Sequence, residues 1–187
     1  MQQIDSLADH LLIAMPNLED PFFGRSVTYI CEHSSEGALG IVLNSPLEAT
    51  YAELFSHLKF ATLDTPDLQN KLLAGGPVSP ERGFILHSPI GNWDSSLTVT
   101  DEIALSTSED ILTAIALNQG PDKARIALGY AGWEKGQLEK EIEENSWLFV
   151  KASESLLFET PVDQIWQKAT QLLGIDWTQL SSQEGHA

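Results

Sequence analysis

Cysteine occurs once in this chain of 187 residues, at Cys31, so no disulfide can close within it. That usage suits a reducing compartment, and the cytoplasm is the expected location. Positive charge is also scarce. Ten Lys and Arg stand against 27 Asp and Glu, a formal net charge of −17 with a pI near 4.4. Such a surface repels phosphate backbones and anionic lipid. The bases are scattered singly rather than clustered, so no nucleic acid is expected as a partner. Long apolar runs are missing as well: none approaches the ~20 residues of a membrane helix. No base precedes Arg25, where a secretory signal would carry its positive segment. No membrane association is expected.

Sequence motifs of cofactor chemistry are missing too. There is no G-x-x-x-x-G-K-[ST] loop, no G-x-G-x-x-G, no G-x-S-x-G elbow and no H-E-x-x-H. His10, His33, His57, His87 and His186 show no metal-ligand spacing, so neither a metal nor another cofactor is expected.

What is present describes a globular chain. Apolar residues make up 42% and charged residues 20%, enough for a substantial core. The expected organisation is one domain over residues 1–177, with a flexible tail at 178–187. Strands are expected at "LLIAMP" (11–16), "SVTYIC" (26–31) and "ALGIVLN" (38–44), the last two forming a hairpin across "EHSSEG". "KLLAGGPV" and "RGFILHSP" read as a second strand pair around a Gly-Gly-Pro turn. "SLTVT", "IALST", "ARIALGYAGW" (124–133) and "SWLFVKA" complete the strands, with Gly129, Gly132 and Gly136 read as a tight strand-to-helix turn.

Helices are expected at 50–58, where Thr50 and Glu53 stand at capping-box spacing, and at 108–117 and 136–145. Another is expected from Thr160 as N-cap and Pro161 to Gly174 as C-terminal cap. Irregularly interleaved strands and helices imply an α+β fold with a mixed, largely antiparallel sheet.

Two groups of residues can carry chemistry. Cys31, Glu32 and His33 are consecutive. On a continuing strand, Cys31 and His33 share a face with Cα atoms roughly 7 Å apart, within side-chain reach of a thiol–imidazole pair. The competing reading is a buried thiol beside a loop histidine. The second group is the arginines, of which there are three: Arg25, Arg82 and Arg125. Arg25 and Arg82 each lie at a turn beside a strand with a histidine at its far end, His33 and His87. Guanidinium suits bidentate capture of carboxylate or phosphate. If these arginines are structural instead, the nearest carboxylates in sequence are Asp20 and Glu81.

The blocks "LLIAMPNLEDPFFGRSVTYICEHSSEGALGIVLNSP", "GGPVSPERGFILHSP", "SLTVTDEIALSTSEDIL" and "GYAGWEKGQLEKEIEENSWL" resemble the signature of the YqgE/AlgH family of bacterial proteins. They stand in the family's order and run from about Leu11 to Leu148. The resemblance implies a bifurcated or partly barrel-like sheet surrounded by helices. Arg25, Cys31, Glu32, His33, Asn44, Arg82 and His87 occupy family positions, and no catalytic assignment comes with them. The regulator label of some members implies a DNA-binding alternative, against which the acidic composition and the lack of a basic recognition helix speak.

The expected function is a non-catalytic binding or regulatory protein, with monomer favoured over oligomer. Arg25, His33, Asn44, Arg82 and His87 are expected to line one cleft for a small anionic ligand or an acidic partner segment. The alternative is a thiol-dependent hydrolase or transferase, with Cys31 as nucleophile and His33 or His87 as base.

Overall fold

A computed structural model describes residues 6–15 and 24–174 of the chain. The strands are β1 (His10–Ala14), β2 (Val27–Ser34), β3 (Gly37–Val42), β4 (Pro46–Thr50) and β5 (Lys71–Ala74). They continue as β6 (Val78–Ser88), β7 (Ser96–Thr98), β8 (Ala104–Ser106), β9 (Lys123–Glu134) and β10 (Trp147–Lys151). All ten join one sheet in the order β10-β1-β2-β3-β9-β6-β8-β7, with β4 and β5 branching from β9. Most pairings are antiparallel and β5–β9 is parallel, so the mixed α+β class expected from the sequence is the one formed.

The helices are α1 (Tyr51–His57), α2 (Glu109–Ala116), α3 (Gln137–Glu143) and α4 (Ile165–Leu172). Thr50 caps α1 as its sequence spacing requires, accepting the Glu53 N–H at 3.3 Å. The fourth helix begins later than Thr160. A π-helical turn spans Ser155–Glu159, a 3-10 turn spans Val162–Gln164, and only then does α4 start. Arg125 reaches up from β9 and donates to the carbonyls of Leu157 and Thr160, which pins this stretch in its irregular form. Gly174 stands past the end of α4 with φ +75, as a C-terminal cap does. The strand β4, the π-helical turn and the 3-10 turn at Pro66–Gln69 had no sequence expectation. The expected strand end at Pro16 and the 178–187 tail lie outside the described residues.

The long strand β9 organises the sheet. On one edge it pairs with β5 at Ala127–Leu128 and with β3 at Ala131–Glu134; on the other it pairs with β6. The two runs expected to form a hairpin around Gly75-Gly76-Pro77 therefore do not pair with each other. The chain crosses over β9 there, and it can do so only on glycine. A Cβ on Gly76 would sit 1.9 Å from the carbonyl carbon of Tyr130, and one on Gly129 would sit 2.4 Å from the Gly76 oxygen.

Gly129 and Gly132 are thus inside β9, not in a turn after it. Gly129, at φ +79, also resets the side-chain alternation: Ala127 and Tyr130 face the same core although they are three residues apart. That core, with Leu11, Ile13, Tyr29, Ile41, Leu86, Leu157 and Ile165, lies under α4 and the π-helical turn. The opposite face is covered by α3 over Leu12, Ile30, Trp133 and Trp147, and by α1 and α2 over Ile85 and Ile126. Among the described residues no helix is long and apolar enough to cross a membrane.

Candidate functional site

The β2–β3 hairpin forms where the sequence places it, but with one extra residue on β2. Ile30 pairs with Gly40 and Glu32 with Leu39, leaving Cys31 as a bulge. Because side chains alternate along a strand, one inserted residue inverts everything beyond it. Cys31 stays in the core with Tyr29 and Ile41, 2% exposed, while His33 turns to the opposite face, towards α3. The shared face expected for the pair does not exist. Burial, reinforced by the charge of Glu32, raises the Cys31 thiol well above its ordinary range. Its hydrogen-bond partner is the carbonyl of Tyr29 at 3.8 Å.

His33 is held from both sides. Its Nδ1 accepts the Leu7 N–H at 2.9 Å, so Nε2 carries the proton and donates to Glu139 Oε1 at 2.6 Å. Its side chain is 3% exposed. Glu139 on α3 feels some desolvation, which raises its pKa, but the hydrogen bond from His33 and its backbone bond prevail and hold it below the usual carboxylate value.

His87 is 0% exposed. Its Nδ1 lies 3.0 Å from the Pro89 carbonyl and donates to it, and Nε2 accepts from Ser106 Oγ at 2.7 Å. Ser96 Oγ lies 2.6 Å from Ser106 Oγ and completes a chain of hydroxyls. Burial lowers the His87 pKa, partly opposed by the Pro89 carbonyl, and the ring is a neutral internal strut.

Arg25 and Asn44 are neighbours. Asn44 Nδ2 donates to the Arg25 carbonyl at 3.1 Å, and its Oδ1 accepts the Val27 N–H at 2.9 Å, so Asn44 clamps the turn. Arg25, at φ +57, lays its guanidinium over Trp166 of α4, 5.5 Å from the ring centroid. Arg82 lies over Phe84 at 5.6 Å, with no described carboxylate within 4.0 Å, Glu81 included. Asp20 lies outside the described residues. The five side chains expected in one cleft are therefore spread across the molecule. Arg25 and Asn44 meet, His33 faces α3, Arg82 lies along the β6 edge, and His87 is inside.

A wide concave surface lies elsewhere among the described residues. A groove of about 770 Å³ runs between the tip of the β2–β3 hairpin and the far end of β9. Glu32, Glu36 and Glu134 line it with Ser34, Gln137, Leu39, Val78, Tyr130 and Trp133, and among the described residues no base lines it. It opens because β6 begins at Val78, opposite Tyr130, so β9 runs on beyond Tyr130 without that neighbour. Val78 is left 38% exposed at its rim. None of the five expected site residues lines it. The acidic hairpin "CEHSSEG" and the "GYAGWEKG" stretch carried the signal, but their convergence depends on β3 pairing with β9, which neither stretch encodes alone. Among the described residues, no three His, Cys, Asp or Glu side chains gather as a metal site.

The AlgH-like family model, DUF179, matches residues 11–178. A UPF0301 protein of Pseudoalteromonas translucida is 46% identical over 185 residues, covering 98% of this chain and 100% of its own. One from Chromobacterium violaceum is 49% identical over 183 residues, covering 97% and 98%. The solution structure of the AlgH protein from Pseudomonas aeruginosa superimposes with a TM-score of 0.80 at 43% identity, over 100% of both chains. A crystal structure of a Corynebacterium diphtheriae protein, at 23% identity and TM-score 0.69 over 90% and 87%, shares the fold.

Proposed function

The chain belongs to the AlgH-like family, and we propose that it acts as a non-catalytic binding protein whose hairpin groove receives an extended, basic segment of a partner protein. The observation that carries this reading is the one-signed lining: Glu32, Glu36 and Glu134 without a base among the described residues. Complementary charge is what such a surface selects, and the net −17 of the whole molecule adds long-range attraction for a cation.

Two further features favour an extended peptide over a small cation. Beyond Tyr130, β9 has β3 on one edge and no paired strand on the other among the described residues. An open strand edge is where a peptide adds by backbone hydrogen bonding. Val78, Leu39 and Tyr130 supply apolar contact beside the carboxylates. The sign is opposite to the anionic ligand expected from the arginines, because neither Arg25 nor Arg82 reaches this groove. The non-catalytic character is supported by the burial of Cys31 and its separation from His33 across the sheet.

NMR titration with a short Lys/Arg-rich peptide tests the reading. Salt-sensitive shifts confined to residues 37–39 and 130–134, abolished by Glu36→Lys with Glu134→Lys, are expected. Shifts scattered over the whole acidic surface and indifferent to that double substitution count against it.

A further inference from the structure

Arg125 is the least conspicuous arginine of the sequence, yet it is tied into the fold by backbone carbonyls with no described carboxylate beside it. It is half-buried on β9, and no described carboxylate comes within 4.0 Å of it. Its Nε donates to the Leu157 carbonyl at 3.1 Å and its Nη2 to the Thr160 carbonyl at 2.8 Å. A guanidinium has five N–H donors, so Nη1 has none of its bonds made within the described residues. A cation withdrawn from water in this way is costly unless an anion answers it.

Arg125 lines a cavity of about 210 Å³ that shares no residue with the groove. Beside it is Tyr51, buried to 4% exposure, whose hydroxyl accepts the Ile126 N–H at 3.1 Å. The phenol's own hydrogen has no acceptor among the described residues. The side-chain amides of Asn70 and Asn118, both exposed, line the same cavity and make no bonds within the described residues. Lys123 also lines it, but its ammonium is engaged by Glu154 at 3.6 Å and Glu159 at 3.4 Å. Two carboxylates, Asp67 and Asp122, are exposed at the rim, and neither is in an ion pair within the described residues. The more buried side of the cavity, Arg125 and Tyr51, is thus cationic with unspent donors, and its exposed side carries two carboxylates beside the two amides.

We propose that this cavity is a binding site for a small zwitterion of the α-amino-acid class, its carboxylate on Arg125 and Tyr51 and its ammonium towards Asp67 and Asp122. A simple anion would meet the two rim carboxylates unpaired, and a simple cation would leave Arg125 unanswered. Only a ligand bearing both charges satisfies the two sides together. The site is independent of the groove and of the peptide reading.

Heteronuclear NMR with alanine, acetate, methylammonium and inorganic phosphate as separate titrants tests it. Alanine is expected to shift the Arg125 Nε–H, the Ile126 amide and the side-chain amides of Asn70 and Asn118. Acetate, methylammonium and phosphate should each bind at least about tenfold more weakly, the worth of one charge-assisted contact. Arg125→Lys loses the forked bonds to the π-helical turn and can unfold that region, so the decisive variant is Asp67→Asn with Asp122→Asn, which leaves the more buried side intact. It should weaken alanine about tenfold and leave acetate unchanged or stronger. Absence of shifts with alanine, acetate or phosphate binding as tightly as alanine, or a rim variant without effect would each overturn the assignment.

Discussion

The arm of the sheet built from β10, β1, β2 and β3 and the arm built from β6, β8 and β7 each hold one histidine of the signature blocks, and the two have opposite fates. On the first arm His33 lies at a bulged hairpin and spends its Nε2–H on a carboxylate of α3. On the second arm His87 is sealed in and exchanges hydrogen bonds with a serine and a carbonyl, both neutral. The concave surfaces differ in the same sense. Among the described residues, carboxylates without a base line the groove beside the first arm, whereas the cavity at the start of β9 has an arginine on its more buried side. An overall charge of −17 does not decide local sign; the partner that the fold brings to each polar group does.

The strongest way to break this comparison is at the joint between the arms. Gly76→Ala would force a methyl group to 1.9 Å from the Tyr130 backbone, where nothing can yield. A loss of more than about 4 kcal/mol, or failure to fold, is expected by urea denaturation. Gly136→Ala is the control. Its φ is +77 but nothing lies within 4 Å of the added carbon, so the cost should be about 1 kcal/mol.

A smaller effect separates the histidines. Replacing His87 with Leu removes its bonds to Ser106 Oγ, which keeps Ser96, and to the Pro89 carbonyl, at a cost of about 1–2 kcal/mol near neutral pH. Because the folded His87 pKa is lowered, unfolding takes up a proton once the pH falls below the ordinary 6.5. Its contribution is full above that value and declines as the pH drops towards the folded pKa. The stability of His87→Leu should therefore fall less steeply than wild type between ordinary and depressed values. An identical slope would remove His87 from the acid response.

The smallest effect belongs to the first arm. Glu139→Ala removes a pair whose carboxylate side chain is 38% exposed, so less than about 1 kcal/mol should be lost. The sign again follows from a depressed folded pKa. The pair contributes fully above the ordinary carboxylate value of 4.5 and is lost as the pH falls through the lowered one. Denaturation midpoints of wild type and variant should converge at low pH; a constant gap would mean that Glu139 stabilises by packing alone.

Local signals carried much of the fold into the sequence. Thr50 three residues before Glu53, the β-branched run "SVTYIC" ahead of "ALGIVLN", and Gly174 at the end of α4 all act within a few residues, and each formed what it encodes. The acidic character and the family blocks were legible for the same reason, since composition and order need no contacts. The site was not. The bulge at Cys31 inverts His33 through a register chosen by pairing with β3, and Gly75-Gly76 becomes a crossing instead of a turn because β9 lies beneath it. Arg125 acquires its role from carbonyls thirty-two and thirty-five positions away. Short-range propensity fixes dihedral angles and element type. Which face a side chain occupies, and whether its charge is answered, are set by strands distant in sequence that the sheet brings together, and only tertiary structure decides them.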